Sequence, residues 1–363
     1  MASMLFSNTS GAGSVDFSFL TQSASSATTT ASIGSVKSAL VNAEKNEAKQ
    51  LAQTAKDPQI QKDLARYEKV VKSAKSIDDV LNDPVARTVL MTANGLKADI
   101  NNIALAKKGM TSDPADEDSV AVKMSSINGN WLTFAKTYNL AEYGLDALYP
   151  QQDGAAGRWR LTLEREGESI EAMLEIKKVR GGGYQAEIDG VAVPVTVDGN
   201  SITLNLLWRD AADELRTSTL QGALGKEGFS GTLTNDGETT PSDWNAPAYF
   251  ADSLKGVREN YIAEKRLDML DQQMPGLGSA VLFKQVAKEM KDAVDILGSA
   301  LGREIVTTAF NIPKQIAVQS MAAQEKAITS RMNPAKLQEA HFVDQIAQRY
   351  LIMLNGGLGG VTA

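Results

Sequence analysis

Carboxylates are the commonest candidates for chemistry in this sequence. Glu164, Glu166 and Glu168 alternate along a strand-like stretch and its turn, which puts them on one face. A glycosidase pair needs two carboxylates facing each other across a cleft, in environments that separate their pKa values. These three instead stand opposite Trp159, Leu161 and Leu163, as on the solvated exterior of a small barrel. Asp113, Asp116, Glu117 and Asp118 lack the spacing, central glycine and closing glutamate of an EF-hand calcium loop. Ahead of a helix beginning near Val120 they read as caps and as charges favoured by the helix dipole. Arg180-Gly181-Gly182-Gly183 lies between two strands, and Gly356-Gly357-Leu358-Gly359-Gly360 falls near the end of the sequence. Neither opens a helix after a strand, and neither carries the Lys-Ser/Thr of a phosphate loop. With no Cys there is no disulfide, thiolate zinc site or cysteine nucleophile. His341 is the single histidine, too few for a multi-histidine metal site, and it speaks against a histidine-based triad. No convergent acid–base or nucleophile set is legible. The expectation is a non-enzyme with no catalytic, cofactor-binding or metal-ligating residue.

Composition points the same way. The chain has 363 residues, 43% hydrophobic and 22% charged, enough for two or three domains with real cores. Its net charge of −7 argues against a nucleic-acid partner. No run approaches the roughly 18 apolar residues of a membrane span, so no membrane insertion is expected. Residues 1–32 are rich in Ser, Thr, Ala and Gly, and the first Lys is Lys37, so no secretory signal is legible. That stretch buries too little apolar surface to offset its ordering entropy. It is expected to be a disordered segment, compatible with export in an unfolded state.

Three periodicities organise the rest. Residues 33–150 repeat apolar positions at helical spacing, beginning with a narrow stripe through Val41, Ala48, Leu51, Ala52 and Ala55 in a helix over Ser35–Lys56. Asp57-Pro58 and Asp83-Pro84 each place an N-cap acceptor before a proline at the first helical position, and Gly95 reads as a C-cap. Residues 158–243 switch to period two. About seven short strands are separated by Glu166-Gly167, Asp189-Gly190, Asp198-Gly199 and Asp236-Gly237 turns. Residues 247–355 return to helical spacing, with helices expected over Tyr249–Met274, Ala280–Leu297, Arg303–Phe310, Lys314–Met332 and Ala335–Leu354, and residues 356–363 form a flexible tail. The fold class expected is α+β: two mainly helical blocks that pack together, with an antiparallel β-barrel or sandwich inserted between them. Net charge follows the division, with −2 over residues 1–157, −6 over 158–243 and +1 over 244–363. The β insert is the acidic, solvated part.

Two residue sets follow from these patterns. Val343, Ile346, Tyr350 and Leu354 line the last helix, and with Leu51 and Ala55 they are the candidates for helix packing, between subunits or within one core. Trp159, Leu161, Tyr184, Trp208 and Phe229 are candidates for the barrel interior, which small barrels fill with their own side chains or open to a ligand. Leu206-Leu207-Trp208 breaks the alternation, so Trp208 is a candidate for either face.

The run from Tyr67 to Asp83, continuing to Ala93-Asn94-Gly95-Leu96, resembles a conserved-domain family of uncharacterised bacterial flagellar proteins encoded beside rod and basal-body genes. Phe310-Asn311-Ile312-Pro313, Gln324 to Met332 and Gln345 to Leu351 resemble the same family's ending. The likeness covers about Ser35–Tyr149 and Tyr249–Asn355. Gly157-Arg158-Trp159 and Phe229-Ser230-Gly231-Thr232-Leu233 are distantly similar to calycin-type barrels. The resemblance implies a structural component of the flagellum, exported through the flagellar type III apparatus and found outside the cytoplasm. Its partners would be other flagellar subunits and further copies of itself. Such axial proteins join terminal helices and face a β domain outward, although the extra helices here depart from that plan. Two other readings come from the same residues. One is a secreted binding module whose barrel holds an apolar or glycan ligand on Trp159 and Trp208, and the other is a cytoplasmic export chaperone or assembly regulator.

Overall fold

A computed structural model describes residues 32–356, apart from 166, 210–211 and 238–239. The expected export segment, apart from Ser32, and the expected tail, apart from Gly356, lie outside the described residues. The chain divides into two compact units. Of the described residues, one holds those up to Leu64, Thr88–Lys136 and those from Glu259 onward; the other holds Ala65–Arg87 and Thr137–Arg258.

Before the strands come nine helices among the described residues: α1 (Ile33–Lys45), α2 (Glu47–Thr54), α3 (Pro58–Ser73), α4 (Ile77–Asn82), α5 (Pro84–Ala93), α6 (Ile103–Met110), α7 (Val120–Ser125), α8 (Asn130–Tyr138) and α9 (Leu140–Tyr143). The local signals act where the sequence puts them. The Asp57 carboxylate accepts the amides of Gln59 and Ile60 at 2.8 and 3.1 Å, and Asp83 accepts those of Val85 and Ala86 at 3.1 and 2.9 Å. Gly95, at φ +67°, lets the Leu96 amide reach back to the Met91 carbonyl and its own amide to Thr92. That is the double bond of a Schellman stop. The single helix expected over Ser35–Lys56 is two, divided at Asn46.

The strands among the described residues form one nine-stranded antiparallel sheet, β1 (Gly157–Arg165), β2 (Glu168–Lys178), β3 (Tyr184–Ile188), β4 (Val191–Val193), β5 (Val195–Asp198), β6 (Ser201–Arg209), β7 (Leu215–Gly225), β8 (Gly228–Asn235) and β9 (Ser242–Ala246). Its order is β4-β3-β2-β1-β9-β8-β7-β6-β5. The two ends of this order are consecutive in the chain, separated by Pro194 alone. One segment therefore pairs with β3 through β4 and with β6 through β5, which brings the sheet round into a nearly closed barrel. Nine strands replace the expected seven for two reasons. Val191–Val197 is split because Pro194 has no amide to donate, and β9 is too short for its alternation to stand out. Inward positions of successive strands carry Trp159, Leu161, Leu163, Leu174, Ile176, Ala186, Ile202, Leu204, Leu220, Phe229, Leu233, Trp244 and Ala246, all buried in one core.

Six helices follow among the described residues: α10 (Ser253–Gln273), α11 (Leu277–Val286), α12 (Ala293–Gly298), α13 (Ala300–Ala309), α14 (Met321–Thr329) and α15 (Ala340–Leu354). The expected helix over Ala280–Leu297 is interrupted. Met290 is extended, and Asp292 restarts the chain by accepting the Asp295 amide at 2.9 Å. Lys314–Met332 is likewise broken before Ser320, the N-cap of α14. Side-chain acceptors of this kind compete with helix continuation, so an apolar stripe can run through a break. The architecture is the one expected, two helical blocks flanking an inserted antiparallel β module.

Candidate functional site

The first candidate region is the core where the chain's outer helices meet. Val343, Ile346, Ala347, Tyr350 and Leu351 of α15 are buried together with Val36, Leu40 and Ala43 of α1, Phe283 of α11 and Ile305 of α13. Thus α15 turns its stripe into its own unit, and α1 provides the N-terminal contact. Leu51 and Ala55 are half-buried and stand outside this core. Leu354, the last member of the stripe, is 44% exposed.

Polar groups pin the same helices. Lys284 on α11 bridges Glu44 of α1 and Asp344 of α15, the latter at 2.6 Å. Burial alone would lower its pKa, but the two carboxylates outweigh burial and raise it. The Tyr350 hydroxyl donates to Glu304 at 2.7 Å, and burial together with that carboxylate holds it well above the ordinary phenol value. Gly276, at φ +82°, sits against this end of α15, where a Cβ would lie 2.8 Å from the Tyr350 ring. Arg266 of α10 is 3% exposed; it donates to Glu47 and Gln50 at 3.0 Å and to the Ala43 carbonyl at 2.6 Å. It borders a hollow of about 310 Å³ lined by Gln50, Gln53, Thr54, Met269 and Gln273. Neither Lys284 nor Arg266 stood out in the sequence, because a lone Lys or Arg on an amphipathic helix looks the same whether it is paired or solvated.

The second candidate is the barrel interior. Trp159 meets Phe229 edge to face with centroids 4.8 Å apart, and Phe229 stacks on Trp244 at 6.5 Å. The indole nitrogens of Trp159 and Trp244 donate to the carbonyls of Ala155 and Gln221 at 3.1 and 3.2 Å. Trp244 lies over Gly222, whose added Cβ would stand 2.6 Å from its ring. Leu161 is buried in the same core, and Tyr184 is half-buried against it. Trp208 shares the inner face with Ile202, Leu204 and Leu206, while Leu207 is the outward residue, at 68% exposure. Trp208 donates to Ser218 Oγ at 2.8 Å, Ser218 donates to Asn235 at 2.6 Å, and the Arg165 guanidinium lies 4.4 Å from the Trp208 ring centre. This amphipathic layer covers the end of the barrel opposite Trp159. Trp244 was missed because β9 offers only five residues of alternation.

The remaining candidates do not converge. Glu164 and Glu168 are exposed, and Glu166 lies outside the described residues. Asp113 and Asp116 accept the amides of Ala115 and Asp118, and Asp118 pairs with Lys123 at 2.9 Å. Gly181, Gly182 and Gly183 form a loop of positive φ between β2 and β3. His341 is exposed on the first turn of α15. Among the described residues, no three His, Cys, Asp or Glu side chains are grouped to hold a metal ion, and no helix is long and apolar enough to cross a membrane.

Comparison with known proteins bears on the fold. Residues 93–153 and 238–343 match the model of a family described as a protein of unknown function, DUF1217. The stretch between the matches spans β1 to β8. No curated protein matches the chain. The crystal structure of protein AGR_C_984 from Agrobacterium tumefaciens is similar, with a TM-score of 0.50 and 16% identity. The likeness covers 91% of this chain and 96% of that one, and at this identity it speaks for the fold alone.

Proposed function

We propose that this protein is a non-enzymatic structural component of the bacterial flagellum, exported through the flagellar type III apparatus and assembled through its helical ends. The observation that carries the reading is the union of α1 and α15 in one core, with the acidic β module inserted between them in the chain. That is the plan implied by the resemblance of the helical segments to flagellar proteins. Residues 1–31, rich in Ser, Thr, Ala and Gly, run directly into α1 and supply a segment suited to export. The packed aromatic interior favours a displayed module over a ligand carrier. The partners are other flagellar subunits and further copies of the chain. Leu354, exposed at the end of an otherwise buried stripe, is the residue of α15 best placed for such contacts.

The test compares cells with an intact and a blocked flagellar export gate, with a tagged copy followed in culture medium, cytoplasm and isolated hook–basal bodies. The expected result is secretion and hook–basal-body association only with the intact gate, both lost on deletion of residues 2–31. Normal secretion with the gate blocked, or a wholly cytoplasmic protein, overturns the reading.

A further inference from the structure

The barrel does not close along its whole height. On β2 the residues whose amides and carbonyls point toward β3 are the odd-numbered ones, because the even-numbered ones serve the β1 hairpin. The β3 ladder covers only Leu174–Lys178. It ends in a specific device: Asp189, at φ +47°, donates its amide to the Met173 carbonyl at 2.9 Å and accepts the Met173 amide on its carboxylate at 2.8 Å. The side chain thus takes the place of the next strand residue, and the chain turns away. Beyond it, the amides and carbonyls of Ser169 and Glu171 have no partner on that side among the described residues.

The opposite border ends at the same level. The β5 ladder covers Ser201–Leu204 of β6, and the Asn205 amide reaches the Pro194 carbonyl at 3.1 Å. Pro194 has no amide to return, and β6 continues to Arg209, the backbone of Leu207 and Arg209 facing the seam with no ladder partner on that side among the described residues. The side chains flanking the seam are apolar and incompletely covered. Ile170, Ala172, Leu206 and Trp208 all point inward yet are half-buried, whereas Leu163 and Leu161, the direct β1 partners of Ile170 and Ala172, and Leu233 on β8 are buried. Outside, Glu164 and Glu171 stand exposed beside Ser169, with Glu168 at the rim, and no described cation pairs with any of them.

We propose that this seam is a strand-addition site for an extended segment of another polypeptide, apolar at alternate positions and carrying Lys or Arg between them. Backbone pairing with Ser169 and Glu171 continues the line of β3 above Asp189. The apolar residues of the segment cover Ile170, Ala172 and Trp208, and its basic residues meet Glu164 and Glu171. The chain's own undescribed ends cannot serve, since residues 1–31 and 357–363 contain no Lys or Arg. The site is independent of the terminal-helix core, so it stands or falls apart from the flagellar reading.

The test uses the full chain and two synthetic seven-residue peptides, one alternating Val with Lys and one alternating Val with Glu. Fluorescence anisotropy measures binding, and amide hydrogen exchange locates it. The expected result is saturable binding of the lysine peptide alone, with exchange slowed at Ser169 and Glu171. Charge reversal by Glu164→Lys and Glu171→Lys together is expected to weaken it about five- to tenfold at low salt and to remove its salt dependence. Ser169→Pro removes only the outward amide, which the barrel does not use, and is expected to weaken binding more than about tenfold. Equal binding of both peptides, or lysine-peptide binding with unchanged exchange at these amides, overturns the proposal, as does no binding at all. Should Ser169→Pro fail to fold, the exchange measurement on the unaltered protein decides.

Discussion

Replacing Phe229 with alanine tests whether the barrel is filled by its own side chains. Phe229 is 2% exposed, edge to face with Trp159 at 4.8 Å and stacked on Trp244 at 6.5 Å. Removing a buried ring takes away its transfer free energy and leaves a cavity, together about 3–5 kcal/mol. Roughly 0.5–1.5 kcal/mol of that belongs to each aromatic pair. Urea unfolding followed by tryptophan emission measures it, because three of the four tryptophans lie in the barrel and Trp131 reports on the other unit. The barrel transition should move down by about 1–5 M urea at unchanged slope, with the Trp131 transition in place. The variant should also acquire a dry apolar hole that binds benzene or indole saturably, while the unaltered protein binds neither. A variant within about 1 kcal/mol of its parent would refute the packing argument. Saturable quenching of the unaltered protein by small apolar ligands would refute it equally, by showing a hollow barrel.

Three further outcomes are expected. Gly222→Ala places a Cβ 2.5 Å from the Ser230 carbonyl oxygen and 2.6 Å from the Trp244 ring, so overpacking should cost about 1–3 kcal/mol with a shift in tryptophan emission; an unshifted spectrum and unchanged stability would contradict the close approach. Burial pushes the Asp83 carboxyl up, but the Ala86 and Val85 amides and Arg66 outweigh burial and leave it below its ordinary value. A depressed carboxylate contributes stability above the unfolded pKa and loses it as pH falls through the folded one. Asp83→Ala should therefore cost about 0.5–2 kcal/mol at pH 7, with the difference shrinking below about pH 4, and an equal difference at pH 3 and 7 would count against it. Arg266→Ala should cost at least about 1.5–3 kcal/mol in thermal unfolding, since it leaves the Ala43 carbonyl and Gln50 without their donor; a near-neutral Tm would show that α10 is held otherwise.

The signals that proved reliable are those whose partners lie within a few residues. Asp57, Asp83 and Gly95 cap their helices with bonds that span two to five positions, and the Asp189-Gly190 turn adopts positive φ at both residues. The alternation of β1 and the stripe of α15 were legible because one buried face imposes a period on its own element. Choices stayed open where a second element decides. Leu51 and Ala55 look as apolar as Val36 and Leu40, yet only the α1 residues reach the α15 core. The doubt over Trp208 is settled by pairing with β7, which places Leu206 and Trp208 inward and Leu207 outward.

The amino-acid sequence by itself determined the order of helical and β segments, the turns between strands, the acidity of the insert and the apolar face of the last helix. Each depends on periodicity, on local hydrogen bonds or on composition, and none needs a distant residue. Tertiary structure decided what those faces meet. It paired α15 with α1, joined Lys284 to carboxylates on both, and filled the barrel with three aromatic rings. It also left the seam beyond Asp189 and Pro194 open, because closing a barrel depends on whether strands far apart in the chain match in length and register.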